Sequence, residues 1–473
     1  MPPSLEVLLA DSGLRLIAGD PTQKISGITA DSRLVGDGSL FVAVPGLTVD
    51  GHEFIDRAVA AGATAVLAKA GQGEPVEGVA WIECEDPAAA LGPLAAAYYQ
   101  HPSTELSVVG ITGTNGKTTV ATLCHELFTR LGYRCGMVGT IEVRIGDVRH
   151  AATHTTPDAI AVQRLLREMA DAGCGYVFME VSSHALVQHR VGGVDFTAAV
   201  FTNISHDHMD YHGTMRAYID AKKLLFDGLH SEAVAIVNAD DKRGLFMLQN
   251  CRARKKTYAL KHPADYKGRI LDEDLRGLHL VVDNREVYTS IAGAFNAYNL
   301  LAAYGLALEL GQEEDQALAE LSALRGAAGR LEVISTAEAG VVGVVDYAHT
   351  PDALRNVLQT LQAARSRGHR LITVFGCGGD RDRSKRPLMG AIAAELSDQV
   401  IVTDDNPRTE DAAAIRSAIV AGIEADGRAR MLEVADRRNA IKTAVHLAQH
   451  EDVVLVAGKG HETYQEINGK RTE

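Results

Sequence analysis

Hydrophobic positions along this chain fall into short buried runs separated by longer helical patterns. Residues 40–44 (Leu-Phe-Val-Ala-Val) and 64–68 (Thr-Ala-Val-Leu-Ala) read as strands, and the alanine-rich stretch 88–99 reads as a helix. His101-Pro102-Ser103-Thr104 interrupts the pattern and marks a linker. A new unit opens with the apolar run 106–111 and extends to about residue 328. Within it, 176–181, 198–202 and 234–237 fit strands, while 120–131, 159–172 and 299–310 fit helices. Strands alternating with helices predict a parallel sheet covered on both faces.

A second break falls near Arg325-Gly326-Ala327-Ala328-Gly329, and the alternation then restarts. Strands are expected at 341–346, 371–375, 399–403 and 452–457. Each ends in a polar or glycine-rich segment: 346–351, 376–383, 404–408 and 458–462. In doubly wound sheets the loops at the carboxyl ends of the strands form the ligand crevice, so these four segments predict a binding site. The expected fold class is therefore α/β, with boundaries placed at 1–100, 101–328 and 329–473. The last section reads as a Rossmann-like doubly wound domain.

Composition narrows the partners. Hydrophobic residues make up 46% of the 473 positions and charged residues 23%, enough apolar mass for several cores. The net charge of -14 disfavours nucleic acid and anionic membrane as general partners, though a local cationic pocket can still take a small anion. Six cysteines, none in a C-x-x-C pair, read as reduced thiols. The amino terminus lacks a basic region followed by an apolar stretch, and no apolar run is long enough to span a bilayer. The expectation is a cytoplasmic protein, without membrane insertion, acting on soluble material.

The strongest local chemistry is Gly110-Ile111-Thr112-Gly113-Thr114-Asn115-Gly116-Lys117-Thr118-Thr119, with a strand before it and a helix after it. Glycines let backbone N–H groups approach phosphate oxygens, and a helix amino terminus favours negative charge. Lys117 would neutralise the β- and γ-phosphates, and the Thr118 hydroxyl would sit on Mg²⁺. A strict Walker pattern needs glycine where Ile111 stands. The alternative is a glycine-rich turn with a surface lysine.

Two further segments carry candidate ligands. Met179-Glu180-Val181-Ser182-Ser183-His184 ends one strand, and Asn203-Ile204-Ser205-His206-Asp207-His208-Met209-Asp210-Tyr211-His212 follows the next. Three histidines and two aspartates alone suggest zinc. A neighbouring phosphate loop favours Mg²⁺, which prefers oxygen ligands and substrate phosphates. Ala221-Lys222-Lys223-Leu224 reads, by itself, as two lysines on a solvated helix face.

Gly113-Thr114-Asn115-Gly116-Lys117-Thr118 resembles the phosphate loop of the Mur ligases and their folylpolyglutamate synthetase relatives. The remaining motifs agree in order, from Asp31-Ser32-Arg33 to Gly458-Lys459-Gly460-His461-Glu462. The resemblance implies three domains: one for the nucleotide sugar, a central P-loop parallel-sheet ATPase-like domain, and one for the amino acid. It implies ATP bound by residues 113–119 with Asn296, Asn299, Arg330, Asp346 and His349. It implies Mg²⁺ held by Thr118, Glu180, His208 and Lys222, the lysine carrying a CO₂-derived carbamate; Lys117, Lys222, Glu180 and His208 would be catalytic. Carbamylation turns a cation into a carboxylate-like ligand, which Mg²⁺ attracts rather than repels.

The same resemblance assigns Ser32 and residues 41–51 to the uridine diphosphate sugar, and Thr155, Thr156, Ser182, Gln188 and Arg190 to the peptidyl part. Asp405-Asn406-Pro407-Arg408 resembles the form found in members that add meso-diaminopimelate; lysine-adding members lack the arginine. A guanidinium pairs bidentately with the distal carboxylate that lysine does not have. Arg381, Gly458 and Glu462 match other positions that grip the amino acid, Glu462 as the partner of an ammonium. The implied activity is ATP-dependent joining of meso-diaminopimelate to UDP-N-acetylmuramoyl-L-alanyl-D-glutamate (UDP-MurNAc-L-Ala-D-Glu) through an acyl phosphate, by a monomer. The resembling enzymes continue past the 458–462 segment through an acidic stretch and a last helix. Competing readings are a ligase for L-lysine, a P-loop ATPase that makes no bond, and an inactive binding module. Without the family, Ser32 and Asp405–Arg408 read as local turns.

Overall fold

Continuous apolar runs become strands buried on both faces. In the computed structural model, which describes residues 2–10, 12–46, 49–152, 154–335, 340–365 and 368–472, three main sheets form. Leu47 and Thr48, part of the expected sugar-binding segment, lie outside the described residues. The first sheet contains β1 (Arg15–Ala18), β2 (Gly27–Thr29), β3 (Ser39–Val42), β4 (Ala63–Lys69) and β5 (Ala80–Cys84) in the order β1-β5-β4-β3-β2. β2 to β5 pair in parallel and β1 is antiparallel to β5. Leu40, Val42, Leu67 and Ile82 face one core, while Phe41, Val66, Ala68 and Trp81 face another. Period-two alternation between two apolar sides is what a covered parallel sheet requires.

The central strands are β6 (Ser107–Thr112), β7 (Cys135–Val138), β8 (Glu142–Ile145), β9 (Val148–Ala151), β10 (Tyr176–Glu180), β11 (Ala198–Phe201), β12 (Val234–Asn238), β13 (Arg254–Ala259), β14 (Tyr266–Asp274), β15 (Gly277–Val282) and β16 (Arg285–Thr289). The chain packs as two compact units whose boundary passes through β6 and β11. In the first unit β10 pairs in parallel with β7, and β8 and β9 extend that edge antiparallel. In the second, β12, β13 and β14 are parallel and β14, β15 and β16 form an antiparallel meander. The purely parallel central sheet expected from the sequence is therefore mixed. Both antiparallel additions have one wetter face, so they lack the continuous apolar signature that betrays a buried parallel strand.

The third sheet comprises β17 (Glu332–Ser335), β18 (Val342–Asp346), β19 (Leu371–Phe375), β20 (Gln399–Val402), β21 (Met431–Glu433) and β22 (Val453–Ala457), ordered β17-β18-β22-β19-β20-β21. Only β17 is antiparallel. Leu371 and Phe375 join the core beneath the Pro351–Ala364 and Lys385–Leu396 helices, while Ile372 and Val374 pack toward Ala440 and Ala444 on the opposite face. Helices on both faces make this part doubly wound, as the sequence predicts. A last hairpin pairs β23 (Gln465–Ile467) with β24 (Lys470–Thr472). The helix expected at 299–310 instead spans Ala294–Glu309. It is buried almost all round, so no amphipathic stripe marks its first turn.

Candidate active site

β6 delivers the chain into the glycine loop, and the Lys117–Arg130 helix leaves it. The loop is pinned against the segment after β11: Thr114 N donates to Asn203 O at 2.8 Å, and Asn115 N donates to Asn203 Oδ1 at 3.1 Å. The Thr202 hydroxyl donates to Asn115 O at 2.6 Å. Gly113 has φ +152°, and a Cβ there would lie 1.9 Å from Thr202 Oγ1, so no side chain fits. Lys117 folds back over its own loop, donating to Gly113 O and Thr114 O at 2.8 Å each.

Lys222 reaches the same place. Its ammonium donates to Gly113 O at 2.9 Å and stands 4.6 Å from the centre of the Tyr218 ring. Two cations therefore share one carbonyl. Lys222 is only 1% exposed. Burial holds its amine well below the ordinary lysine value; Lys117 adds to the depression and Asp207 opposes it. Lys223, the neighbour, is buried for a different reason: it pairs with Asp227 and donates to Gln249 O. The solvated-face reading of this segment is thus corrected, because both lysines lie inside. Tyr218, one turn before Lys222, hydrogen-bonds the Thr114 hydroxyl at 3.0 Å.

His208 caps the Met209–His212 turn with φ +56° and lies 3.3 Å from Asp207 Oδ2. Burial raises the Asp207 carboxyl, but His208, His349, Lys385 and Lys117 outweigh it and the net shift is downward. His349 is driven down to about 4 by burial and then by Lys385, so it stays a neutral imidazole whose Nδ1 faces Tyr347 O at 2.8 Å. Among the described residues no three His, Cys, Asp or Glu side chains form a group that could hold a metal ion.

A cavity of about 800 Å³ opens beside the loop, lined among others by Asn115, Gly116, Asn299, Arg330, Asp346 and His349. Asn299 donates to Asn296 Oδ1 at 2.8 Å, and Asn296 donates to Ala292 O at 2.7 Å. Arg330 donates to the Thr118 hydroxyl at 3.0 Å, while its buried Nε finds no protein acceptor. Asp346, raised by burial, accepts from Leu331 N and Ala348 N at 2.7 Å each. Thr119 also lines the cavity. Asp240, absent from the sequence assignment, anchors its far rim. It accepts from Leu260, Lys261 and His262 N–H groups and from the Tyr298 hydroxyl.

The carboxyl-terminal loops gather a second set. Asn406 donates to Glu462 Oε2 at 2.7 Å, Lys459 donates to Asn406 Oδ1 at 2.7 Å, and Asp405 lies 3.8 Å from Arg437. Gly458 passes close to Asp405: a Cβ on it would lie 2.9 Å from Asp405 Oδ2. Arg408 adopts φ +51° and donates to Gly379 O at 2.7 Å. Arg381 is exposed and donates to Asp380 O at 3.0 Å. Thr409 and Glu410 tie the Arg381 loop to the Arg408 loop through Asp380. Lys459, Arg437 and Glu410 were not assigned from sequence; nothing in their local pattern distinguishes them.

In the first unit, Glu180 is buried and accepts from Thr140 N at 2.7 Å and Thr140 Oγ1 at 3.1 Å. Thr140 Oγ1 also lies 3.1 Å from Thr155 Oγ1, and Thr156 donates to Glu180 O at 2.8 Å. Ser182 lies 3.5 Å from the Thr156 hydroxyl and caps the Ser183–Val187 helix. Arg190 donates to Thr156 O at 2.9 Å and to Gln188 Oε1. These residues, far apart in sequence, form one cluster. Ser32 is buried within an Asp31–Leu34 turn, beside the Asp31–Arg33 ion pair.

Comparison with known proteins adds the family. Models of the "Mur ligase family, catalytic domain", the "Mur ligase middle domain" and the "Mur ligase, glutamate ligase domain" match residues 24–99, 111–307 and 329–460. A UDP-N-acetylmuramoyl-L-alanyl-D-glutamate--2,6-diaminopimelate ligase of Phocaeicola vulgatus is 46% identical over 98% of this chain and 96% of its own. One from Cytophaga hutchinsonii is 47% identical over 96% and 93%. A solved structure of an enzyme with that name is 38% identical, with a TM-score of 0.71 covering 100% of this chain and 96% of its own. The Thermotoga maritima MurF ligase in complex with ADP shares the fold at 19% identity and a TM-score of 0.64, covering 91% and 93%. Three family domains matched in order, and relatives this similar along nearly the full length, show that the chain belongs to the Mur ligase family.

Proposed function

We propose that this chain is an ATP-dependent ligase that adds meso-2,6-diaminopimelate to the D-glutamate carboxyl of UDP-N-acetylmuramoyl-L-alanyl-D-glutamate, a step of peptidoglycan synthesis. The observation that carries the chemistry is the meeting of Lys117 and Lys222 on the Gly113 carbonyl, beside the large cavity. The Lys117 ammonium beside the buried Lys222 amine, offset only in part by Asp207, favours a polyanionic ligand there. ATP fits that demand. Loop residues 113–119 would face its phosphates, Arg330 would use its spare Nε donor, and Asn296, Asn299, Asp346 and His349 would shape the rest of the site.

The reaction divides into two displacements. A substrate carboxylate oxygen attacks the γ-phosphorus, the bond to the β-bridging oxygen breaks, and ADP leaves. The amine of diaminopimelate then attacks the acyl carbon, phosphate departs with the C–O electron pair, and the nitrogen loses a proton. Lys117 stabilises charge on the transferring group. Thr118, His208, Glu180 and a Lys222 carbamate are the residues that would hold Mg²⁺, which supplies charge neutralisation of the phosphates when bound. The depressed Lys222 amine suits carbamylation, because CO₂ adds to the neutral form; Lys223 instead points to Asp227 and Gln249 O.

The UDP-linked dipeptide is assigned to Ser32 at its nucleotide-sugar end and to Thr155, Thr156, Ser182, Gln188 and Arg190 at its peptidyl end. Arg381, Asp405, Asn406, Arg408, Gly458 and Glu462 are assigned to diaminopimelate. We place the working divisions at 1–100, 101–328 and 329–473, and the setting in the cytoplasm, with the chain acting as a monomer. Among the described residues no helix is long and apolar enough to cross a membrane. Phosphate release in the presence of ATP, Mg²⁺ and the UDP-linked dipeptide tests the reading. Release stimulated by meso-diaminopimelate and far less by L-lysine is expected. Stimulation by neither amino acid would overturn it.

A further inference from the structure

We infer that Tyr347 is a positioning residue that couples the nucleotide end of the site to its amino-acid end, so that each ligand tightens the binding of the other. The inference rests on the functional reading above and deepens it. Tyr347 follows β18 directly. The Arg330 guanidinium lies 4.4 Å from the centre of its ring, and the His461 ring packs 5.2 Å away. Its hydroxyl donates to Glu462 Oε1 at 3.3 Å. Arg330 donates to the phosphate-loop Thr118 at 3.0 Å, and Glu462 accepts from Asn406 at 2.7 Å. Thr118, Arg330, Tyr347, Glu462 and Asn406 thus form an unbroken chain of contacts from the phosphate loop to the amino-acid loop.

Two features make this chain more than a row of neighbours. Tyr347 has little room to shift at its base: a Cβ on Gly460 would lie 2.8 Å from Tyr347 Cβ, and 2.7 Å from Gly329 O. Backbone therefore packs directly against the residue, and a change in Arg330 is passed to the ring rather than absorbed. Each end also has an unsettled element. Arg330 keeps a buried, unpartnered Nε, so a nucleotide that takes it fixes the guanidinium. Glu462 has a competing cation, Lys459, at 3.6 Å; the phenol hydroxyl holds one carboxylate oxygen in place for a substrate ammonium instead. Coupling of this kind is reciprocal by linkage.

The test is calorimetric titration of meso-diaminopimelate into the full chain loaded with UDP-N-acetylmuramoyl-L-alanyl-D-glutamate, with and without a non-hydrolysable ATP analogue. In the natural protein the analogue should tighten amino-acid binding by roughly fivefold or more. Tyr347→Phe keeps the ring beside Arg330 and removes the hydroxyl. It should bind the analogue within about twofold of normal, while the coupling factor falls toward one. Tyr347→Leu removes both contacts and should weaken the analogue as well. A Tyr347→Phe protein with undiminished coupling overturns the inference, as does a natural protein with none, or equal weakening of both ligands without loss of coupling. If meso-diaminopimelate neither binds nor stimulates phosphate release in the natural protein, the functional reading falls and this inference with it. Normal turnover with coupling that survives Tyr347→Phe sinks the inference alone.

Discussion

Replacing Lys222 with methionine separates what this lysine does to the fold from what it does for the reaction. The side chain is 1% exposed, its ammonium donates to Gly113 O at 2.9 Å, and the Lys117 ammonium already occupies that oxygen. Burial therefore depresses the amine far below the ordinary value of 10.5, with Lys117 adding to the effect. The sign of the pH dependence follows. Above 10.5 both folded and unfolded chains carry a neutral amine and there is no penalty. As pH falls below 10.5 the unfolded chain takes up a proton that the folded chain resists, so stability declines until pH passes the folded value, and is flat below it. At neutral pH the penalty is in force. Methionine keeps the length of the side chain and removes the charge, at the loss of one hydrogen bond worth about 1 kcal/mol. A net gain of about 1–4 kcal/mol is expected, the range seen when buried ionic groups give way to apolar ones. The assay is denaturant unfolding in CO₂-free buffer, following the transition of the unit that contains Lys222. Lys222→Met should unfold at higher denaturant than the natural chain at about pH 7, and the gap should close near the unperturbed lysine value. Ligase turnover should fall by about 100-fold or more, because the proposed carbamate needs the Lys222 amine. Equal midpoints across the pH range, or normal turnover, would refute the argument.

Gly113→Ala forces a Cβ to 1.9 Å from Thr202 Oγ1 and must displace the phosphate loop; calorimetry should show nucleotide binding weakened by roughly 30-fold or more. Arg408→Ala should raise the KM for meso-diaminopimelate by about 100-fold and leave the poor KM for L-lysine nearly unchanged, since only the former has a distal carboxylate to lose. Asp240→Asn replaces a carboxylate that accepts three backbone N–H groups and a phenol with an amide that can accept fewer; the rim of the cavity should loosen and the KM for ATP rise by about tenfold.

What the sequence disclosed follows from how each segment is buried. β19 was legible to the residue at 371–375, because a strand covered on both faces is apolar at every position. The strand-to-helix turn at 113–116 was legible because Gly113 and Gly116 adopt φ +152° and +89°, which local backbone geometry reserves for glycine. β14 was not: Tyr-Lys-Gly-Arg-Ile-Leu-Asp-Glu-Asp has one wetter face, and its strand character comes from pairing with β15. Lys222 is the sharpest case. On its own helix nothing distinguishes it from Lys223; the assignment came from resemblance, and the difference between the two lies in Gly113 for one and Asp227 for the other, positions near and far in sequence. Tyr218, four residues before Lys222, stood at the helical spacing that brings side chains together, yet a tyrosine there is more often core than site. Tyr347 and Asp240 acquire their places only through partners on other strands and helices.

The assigned basic residues differ from the surface arginines in where their hydrogen bonds go. Elsewhere arginine meets carboxylate, as in the Arg33–Asp31, Arg216–Asp220 and Arg285–Asp315 pairs, and charge cancels locally. At the assigned positions hydrogen bonds run to neutral acceptors, and the carboxylates of Asp207, Asp346 and Asp380 act on Lys117, Lys222, Arg330 and Arg408 through space. Lys117 and Lys222 donate to Gly113 O, Arg190 to Thr156 O and Gln188, Arg330 to the Thr118 hydroxyl, Arg381 to Asp380 O, and Arg408 to Gly379 O. A carbonyl or hydroxyl fixes the direction of a cation without neutralising it. Lys117 and Arg330 therefore keep part of their positive charge, despite a net charge of -14 over the whole chain. Orientation by neutral acceptors is thus a physical means by which Lys117 and Arg330, more than two hundred positions apart in sequence and in one compact unit, can be set to act together on a polyanion.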